Sequence, residues 1–243
     1  MEEPNVLFQT AIPKVEFPSI NAYDIDENEE ELVSLSDEGF ICEPRYYKDG
    51  IPGALSDCYV RASLVPMLKK AESLLGRDLR LKIWDGYRPI FVQQRLWNLH
   101  RQEVINEHAG ENLTSDEIDK LTSFFVSRPS FDENRPSLHN TGGAVDLTVV
   151  TKYGQELNMG TDFDAFGDKA WTNNFEMYSN NAQIQLNRRL LYNAMTAAGF
   201  TNLPSEWWHY DYGDKFWAYF TGNKAIYKGK IEHHLPCKIF PLS

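Results

Sequence analysis

The chain has 243 residues, of which 42% are hydrophobic, so it is long enough to bury the core of one domain. Its 24 Lys and Arg residues against 35 Asp and Glu residues give a formal net charge of −11. A negative charge of this size repels phosphate backbones and anionic lipid headgroups, which argues against nucleic acid and membrane surfaces as partners.

No apolar run reaches the roughly 20 residues that a membrane-spanning helix requires. The first residues, Met1 to Pro4, are acidic and no long apolar stretch follows them, so no secretory signal is visible. The cysteines, Cys42, Cys58 and Cys237, are odd in number and lack a CxxC spacing, which argues against a disulfide framework or a thiolate zinc site. We therefore expect a cytoplasmic protein, or a periplasmic one if this is a mature form that has lost a signal.

The N-terminal quarter differs in composition from the rest of the chain. It is rich in acids, prolines and glycines, and its strongest charge run covers 24–31. Such runs are usually solvated, but the aromatic residues interspersed in this segment indicate that it packs. We expect one domain with three parts: an arm over 1–56 packed on the core, a core over 57–221 and a basic, loop-like tail over 222–243.

The core is predicted to contain both helices and strands. Apolar residues at helical spacing predict helices over 64–75, 89–108, 113–126 and 181–198. Alternating or continuous apolar runs predict strands over 79–84 and 144–150, with strand-like character over 200–209 and 215–220. A loop over 127–136 leads directly into the first candidate motif and is expected to shape the entrance of a site.

That motif runs from Ser137 to Asp146, and its His139 and Asp146 are candidate metal ligands. Two glycines between them allow a tight turn, so that a loop His and a strand Asp can converge on one ion. His209 is the obvious third ligand, because zinc in a hydrolytic site takes three protein ligands and leaves a position for water. Taken singly, such residues are more often a satisfied loop His and a turn Asp, but the joint pattern favours one zinc ion.

Hydrolysis of an amide also needs a base that takes a proton from water and passes it to the leaving amine. Glu206, three residues before His209, is the best placed carboxylate. Residues at odd spacing in an extended strand point to opposite faces. A turn at Pro204-Ser205 or a local bulge must therefore bring Glu206 toward the ion.

A fixed cation is expected where the predicted strand 79–84 ends, in Asp85-Gly86-Tyr87-Arg88-Pro89. Arg88 is the candidate for stabilising the oxyanion of a tetrahedral intermediate. Asp85 is a candidate partner that orients Arg88 or a metal ligand. The alternatives are a structural salt bridge for Arg88 and local turn hydrogen bonds for Asp85.

The motifs Ser-x-His-x-x-Gly-x-x-x-Asp, Asp-Gly-Tyr-Arg-Pro and Glu-Trp-Trp-His resemble those of the zinc D-alanyl-D-alanine dipeptidases of the VanX type. That family shares its fold with D,D-carboxypeptidases and the hedgehog signalling domain. The resemblance extends over about residues 55–220 and implies a single α+β domain with a mainly antiparallel central sheet flanked by helices. It implies zinc ligation by His139, Asp146 and His209, a catalytic base at Glu206 and transition-state stabilisation by Arg88.

The resemblance also implies two substrate contacts, Ser137 and Asp164. Asp164 closes a Met-Gly-x-x-Phe-Asp segment, and its carboxylate would pair with the free ammonium of a dipeptide. The alternatives are a turn cap for Ser137 and an ordinary loop carboxylate for Asp164. The long acidic arm, the basic tail and residues 165–174 match no part of the family's pattern.

The function expected from these residues is hydrolysis of D-Ala-D-Ala, or a closely related short D-amino-acid dipeptide, by metal-activated water. One alternative is a D,D- or L,D-carboxypeptidase that acts on peptidoglycan stem peptides. Another is a binding module that keeps the zinc without catalysis, although the presence of both Glu206 and Arg88 argues against it.

Overall fold

The structure, a computed structural model, describes residues 6–16, 24–177 and 181–231. Its strands are β1 Leu32–Ser34, β2 Ile41–Cys42, β3 Tyr59–Arg61, β4 Leu79–Asp85, β5 Ala144–Thr151, β6 Thr201–Asn202 and β7 His209–Asp211. Its α-helices are α1 Val6–Gln9, α2 Arg45–Lys48, α3 Leu64–Leu75, α4 Ile90–Glu107, α5 Ser115–Thr122, α6 Asn174–Met177, α7 Ala182–Ala198 and α8 Lys215–Thr221. Short 3-10 helices cover His139–Thr141 and Asp168–Ala170.

A five-stranded sheet in the order β2-β4-β5-β7-β6 lies at the centre of the molecule. The β2–β4 pairing is parallel, and the other three pairings in this sheet are antiparallel. Strands β1 and β3 form a separate antiparallel pair. The expected α+β fold with a mainly antiparallel central sheet flanked by helices is confirmed.

The two faces of the central sheet differ in polarity. On β5, Val145, Leu147 and Val149 belong to the hydrophobic core together with buried residues of α3 and α7. Because side chains alternate along a strand, Asp146 points to the opposite face. The apolar face of β5 therefore packs in the core, and the opposite face carries the polar side chain of Asp146.

Helix α3 has the predicted bounds, whereas the segment 215–220, predicted to be strand-like, forms helix α8. The carboxylate of Asp214 accepts hydrogen bonds from the backbone N–H groups of Phe216 and Trp217, and Gly222 ends the helix with a φ of 71°. Caps at both ends outweigh the β propensity of the aromatic residues between them. The segment 200–209 is extended only at its ends, in β6 and β7.

Most of the acidic run 24–31 is exposed, but two of its carboxylates contact the core. Glu27 forms an ion pair with Arg61 at 2.7 Å, and the Arg61 side chain is fully buried. Glu30 accepts hydrogen bonds from the backbone and side chain of Ser63 and from the hydroxyl of Tyr227. This part of the arm is therefore held to the core by an ion pair and hydrogen bonds. Residues 1–5, 17–23, 178–180 and 232–243, which include Cys237, lie outside the described residues.

Helix α4 buries Val92, His100 and Val104, whereas its Leu99 is 54% exposed. Within the described ranges, none of the helices has both the length and the apolar character needed to cross a membrane.

Candidate active site

One row of residues across three neighbouring strands forms the base of the site. Asp85 of β4 lies opposite Asp146 of β5, which in turn lies opposite His209 of β7. The β4–β5 register shifts between Ile83 and Asp85, and this irregularity brings Asp85 opposite Asp146. Residues paired across antiparallel strands have side chains on the same face, so all three project toward one point.

His139 reaches the same point from the 3-10 helix that precedes β5. Gly142 ends this helix with a φ of 75°, in the left-handed region that glycine adopts readily. A Cβ atom at Gly143 would lie 2.4 Å from the carbonyl oxygen of Tyr212, so glycine is required there by close approach. The two glycines therefore permit the turn that the sequence predicted.

The side chains of His139, Asp146 and His209 are buried, and one ligand atom from each lies within 4.8 Å of the others. The His139 Nε2 and His209 Nδ1 atoms lie 3.2 Å and 3.1 Å from the Asp146 carboxylate. The structure thus brings together all three residues predicted as metal ligands.

In each histidine, the ring nitrogen that faces away from Asp146 lies within hydrogen-bond distance of an oxygen atom. His139 Nδ1 lies 2.8 Å from the carbonyl oxygen of Gly86, and His209 Nε2 lies 2.8 Å from Asp211 Oδ1. Donation of a proton to these oxygens fixes the tautomers so that His139 Nε2 and His209 Nδ1 present lone pairs to the centre. Asp146 Oδ1 is buried without a hydrogen-bond donor. Two nitrogens and a carboxylate oxygen suit zinc, so these residues fit a metal ion.

Arg88 is held on several sides next to this centre. Its Nε and Nη2 atoms lie 2.8 Å from Asp85 Oδ2, and Nη1 donates to Gln93 Oε1 at 2.8 Å. Nη2 also lies 3.6 Å from Asp146 Oδ2. Asp85 therefore fixes Arg88, as the sequence suggested, and the guanidinium lies beside the carboxylate of Asp146, a candidate metal ligand.

Asp164 lies on the wall of the same cavity, in a backbone conformation with a φ of 56°. The hydroxyl of Tyr46 donates to Asp164 Oδ2 at 2.8 Å, and the Tyr46 ring lies 4.6 Å from the guanidinium carbon of Arg88. Asp164 is exposed by its accessible surface and lines the cavity. Desolvation within the cavity, together with the charge of Asp146, raises the pKa of Asp164 to about 6.

Glu206 stands in the turn between β6 and β7, not in a strand, so the alternation of strand side chains does not apply to it. Its carbonyl accepts a hydrogen bond from the side-chain amide of Asn202, which fixes the turn. The carboxylate lies 3.7 Å from His209 Nδ1. Burial raises the pKa of Glu206 to about 8, a value suited to a group that must both accept and release a proton.

These residues surround one cavity with a volume of about 330 Å³. Ser137 also lines it, and its Oγ is buried without a hydrogen-bond partner. All of the residues predicted for the site line this cavity except Asp85, which instead accepts a hydrogen bond from Arg88, a lining residue. Apolar side chains of α4 and of the segment after α5 form the rest of the wall, among them Leu96, Leu99, Phe125 and Val126.

Three contributors were not found in the sequence: Tyr46, Gln93 and Asp211. Asp211 follows His209 by two residues on β7, so a His-x-Asp pattern in a strand could have indicated it. Gln93 lies one turn into α4, close after Arg88. Tyr46 had no local signal, because it reaches the site only through the packing of the arm.

A buried cluster of two histidines and an aspartate, with a carboxylate and a fixed guanidinium beside it, is typical of a metal-dependent hydrolase. The model of the Peptidase M15 family, described as D-ala-D-ala dipeptidase, matches residues 57–228. That match covers well over half of the chain, so the chain belongs to this metallopeptidase family. The resemblance drawn from the motifs is thereby confirmed.

Two sequence relatives carry the same description as the family model. A D-alanyl-D-alanine dipeptidase of Synechocystis sp. (strain ATCC 27184 / PCC 6803 / Kazusa) is 29% identical over 169 residues, which cover 62% of this chain and 68% of that protein. A D-alanyl-D-alanine dipeptidase of Enterococcus faecium is 30% identical over 177 residues, covering 67% of this chain and 80% of that protein. The solved structure of VanYB in complex with D-Alanine-D-Alanine has 18% identity and a TM-score of 0.43, covering 87% of this chain and 93% of that chain.

Proposed function

We propose that this protein is a zinc-dependent dipeptidase that hydrolyses D-Ala-D-Ala or a closely related short D-amino-acid dipeptide. The observation that carries the proposal is the convergence of His139, Asp146 and His209 within 4.8 Å, with the Glu206 carboxylate 3.7 Å from His209. Membership of the D-ala-D-ala dipeptidase family supports the substrate class.

His139 Nε2, His209 Nδ1 and the Asp146 carboxylate would hold one zinc ion per chain. When bound, zinc supplies the Lewis acidity that makes water a nucleophile near neutral pH. The hydrogen bonds to Gly86 and Asp211 orient both imidazoles and raise their basicity as ligands.

Glu206 would move the proton. Its carboxylate accepts a proton from the attacking water and then gives this proton to the nitrogen of the breaking peptide bond, which leaves as an amine. Burial raises the pKa of Glu206 to about 8, so the group titrates near neutral pH. The carboxyl group can therefore exist in both protonation states within one catalytic cycle.

Arg88 would stabilise the negative charge that develops on the carbonyl oxygen. Its guanidinium is fixed by Asp85 and Gln93 before substrate arrives, so little reorganisation is needed during the reaction. Asp164 would bind the free ammonium of the dipeptide, and Ser137 Oγ would offer a hydrogen bond that no described residue uses.

Incubation of the zinc-loaded protein with D-Ala-D-Ala, L-Ala-L-Ala and N-acetyl-D-Ala-D-Ala tests the proposal. We expect release of D-alanine from D-Ala-D-Ala, loss of this release with a chelator, and its return with added zinc. Faster hydrolysis of the acylated peptide would favour the D,D-carboxypeptidase alternative. Absence of hydrolysis of all three peptides in the presence of zinc would contradict the proposal. It would favour the alternative of a binding module that keeps the zinc without catalysis.

A further inference from the structure

Two cysteines meet where the N-terminal arm joins the central sheet. Cys42 lies on β2, Cys58 directly precedes β3, and both thiols are free. Cys42 is the register partner of Ile83 on β4, and the Cys58 Sγ atom lies 3.8 Å from the carbonyl oxygen of Ile83. The two thiols also share a hydrogen bond. The two side chains are therefore neighbours, although residues 43–57 separate them in the sequence.

The surroundings of the two thiols differ. Cys58 is 2% exposed and belongs to the hydrophobic core, whereas Cys42 is half-buried and packs against the edge of that core. The hydrogen bond from Cys58 lowers the pKa of Cys42 against the opposing effect of burial, and the same contact, together with burial, raises the pKa of Cys58. Thiols that react with oxidants are accessible, ionise easily and often have a second cysteine beside them. Cys42 has these properties, and Cys58 is the second cysteine.

We propose that Cys42 and Cys58 are a modification site, at which hydrogen peroxide converts the two thiols into a reversible disulfide. The Cys42 sulfur attacks one peroxide oxygen, so that an S–O bond forms, the O–O bond breaks and hydroxide leaves. The Cys58 sulfur then attacks Cys42, so that the S–S bond forms, the S–O bond breaks and a second hydroxide leaves. The two thiol protons convert both hydroxides to water. Each sulfur thus loses one electron, and peroxide gains two.

The disulfide would close the segment 42–58 into a loop that contains α2. On that helix, the Tyr46 hydroxyl donates to Asp164, and the Tyr46 ring lies beside Arg88. Closing a loop reduces the conformational freedom of the unfolded chain and so stabilises the folded one. Oxidation would therefore join the part of the arm that reaches the cavity to the core by a covalent bond. The inference does not depend on the proposed hydrolysis.

The test treats the zinc-loaded full chain with hydrogen peroxide, then denatures it and alkylates the remaining thiols. The chain has three cysteines, so we expect three alkylated thiols before treatment, one afterwards, and three again after a phosphine reductant. The intact mass before alkylation should fall by about 2 Da, and a peptide map should contain Cys42 joined to Cys58. Cys237→Ser is the matched control and should form the same bond. A bond to Cys237, a sulfinic acid at Cys42, or two thiols that stay reduced would overturn the proposal.

Dimedone, which traps sulfenic acids, assigns the roles of the two cysteines. We expect an adduct on Cys42 in Cys58→Ala, where the second step is blocked, and no adduct on Cys58 in Cys42→Ala. An adduct on Cys58 would contradict the assigned order of attack. The peptide map of the wild type decides the proposal even if Cys58→Ala, a change in the core, does not fold. The Tm of the oxidised wild type should exceed that of the reduced protein by about 5 °C or more, and this difference should be absent from Cys42→Ala. An equal Tm for both forms would contradict the stabilising role.

Discussion

The hydroxyl of Tyr46 donates a hydrogen bond of 2.8 Å to Asp164, across 118 positions of sequence. It brings the N-terminal arm into the candidate site, because Tyr46 belongs to α2, before the core predicted to begin at residue 57. A hydrogen bond to a carboxylate favours its ionised form and thus lowers its pKa. Tyr46 therefore opposes the burial that raises the pKa of Asp164.

Replacing Tyr46 with Phe tests this role of the arm. The change keeps the ring beside Arg88 and removes the hydroxyl, which donates to Asp164 and also accepts a hydrogen bond of 3.2 Å from Arg88 Nη2. Since the carboxylate loses a donor, we expect the KM for D-Ala-D-Ala to rise about fivefold to tenfold in steady-state assays. Tyr47→Phe, at the exposed neighbouring position, is the control and should behave like the wild type. Equal kinetics for the two variants would show that the hydrogen bond has no part in binding.

The pKa of about 6 at Asp164 predicts a pH dependence of substrate binding. A carboxyl group with a raised pKa is charged above that pKa and becomes neutral as the pH falls through it. The KM for D-Ala-D-Ala should therefore rise as the pH is lowered from 7 to 5. In Asp164→Asn the KM should be high throughout this range and nearly independent of pH. A wild-type pH profile that survives unchanged in the variant would assign the titration to another group.

The parts of the site that the sequence revealed are those carried by short motifs. His139 and Asp146 flank a turn with two glycines, and Glu206 lies in the turn three residues before His209 at the start of β7, so both pairs follow from short local motifs. Tyr46 could not be found in this way, because its position depends on the parallel pairing of β2 with β4. Long-range pairing of two-residue strands leaves almost no periodic signal in the sequence.

The fold prediction likewise succeeded where local signals agree and failed where they compete. Helix α3 had the predicted bounds because its apolar positions and its terminal glycine agree. The aromatic residues of 215–220 favour a strand, but the Asp214 cap stabilises helix α8 instead, so the strand prediction is wrong. The sequence predicts that the N-terminal segment packs, but it does not reveal that Glu27 pairs with Arg61, because this ion pair depends on tertiary contacts.

Replacing Glu206 with Gln should separate catalysis from metal binding. Gln keeps the size of the side chain but cannot accept and release the proton, so we expect kcat to fall by about 10² to 10⁴. Zinc content, measured by atomic absorption after dialysis, should remain near one per chain, because Glu206 is not among the three converging ligands. A His209→Ala protein should instead lose its zinc. If Glu206→Gln loses zinc to the same extent, then Glu206 is a ligand and not the base.

The loop that carries Asp164 depends on a buried arginine of α7. Arg188 is 2% exposed, and its guanidinium donates to the carbonyl oxygens of Met159, Trp171 and Lys169 at 2.6 to 2.7 Å. These carbonyls flank Asp164 on both sides in the sequence. The guanidinium carbon also lies 5.6 Å from the ring of Trp207, next to Glu206. Arg188 thus holds both ends of the loop against the turn that bears the proposed base.

Arg188→Met should leave three buried carbonyl oxygens without their donor, at a cost of about 3 kcal/mol or more. We expect the Tm to fall by roughly 10 °C and the KM for free dipeptides to rise more than that for acylated ones. Arg188→Lys should recover only part of both losses, because an ammonium group cannot match the planar geometry of three carbonyls. The control is Arg189→Met, at the next position of α7, where the side chain pairs with Glu176 instead. A lower Tm with an unchanged KM would limit Arg188 to stability, whereas a KM effect specific to free dipeptides would tie it to the placement of Asp164.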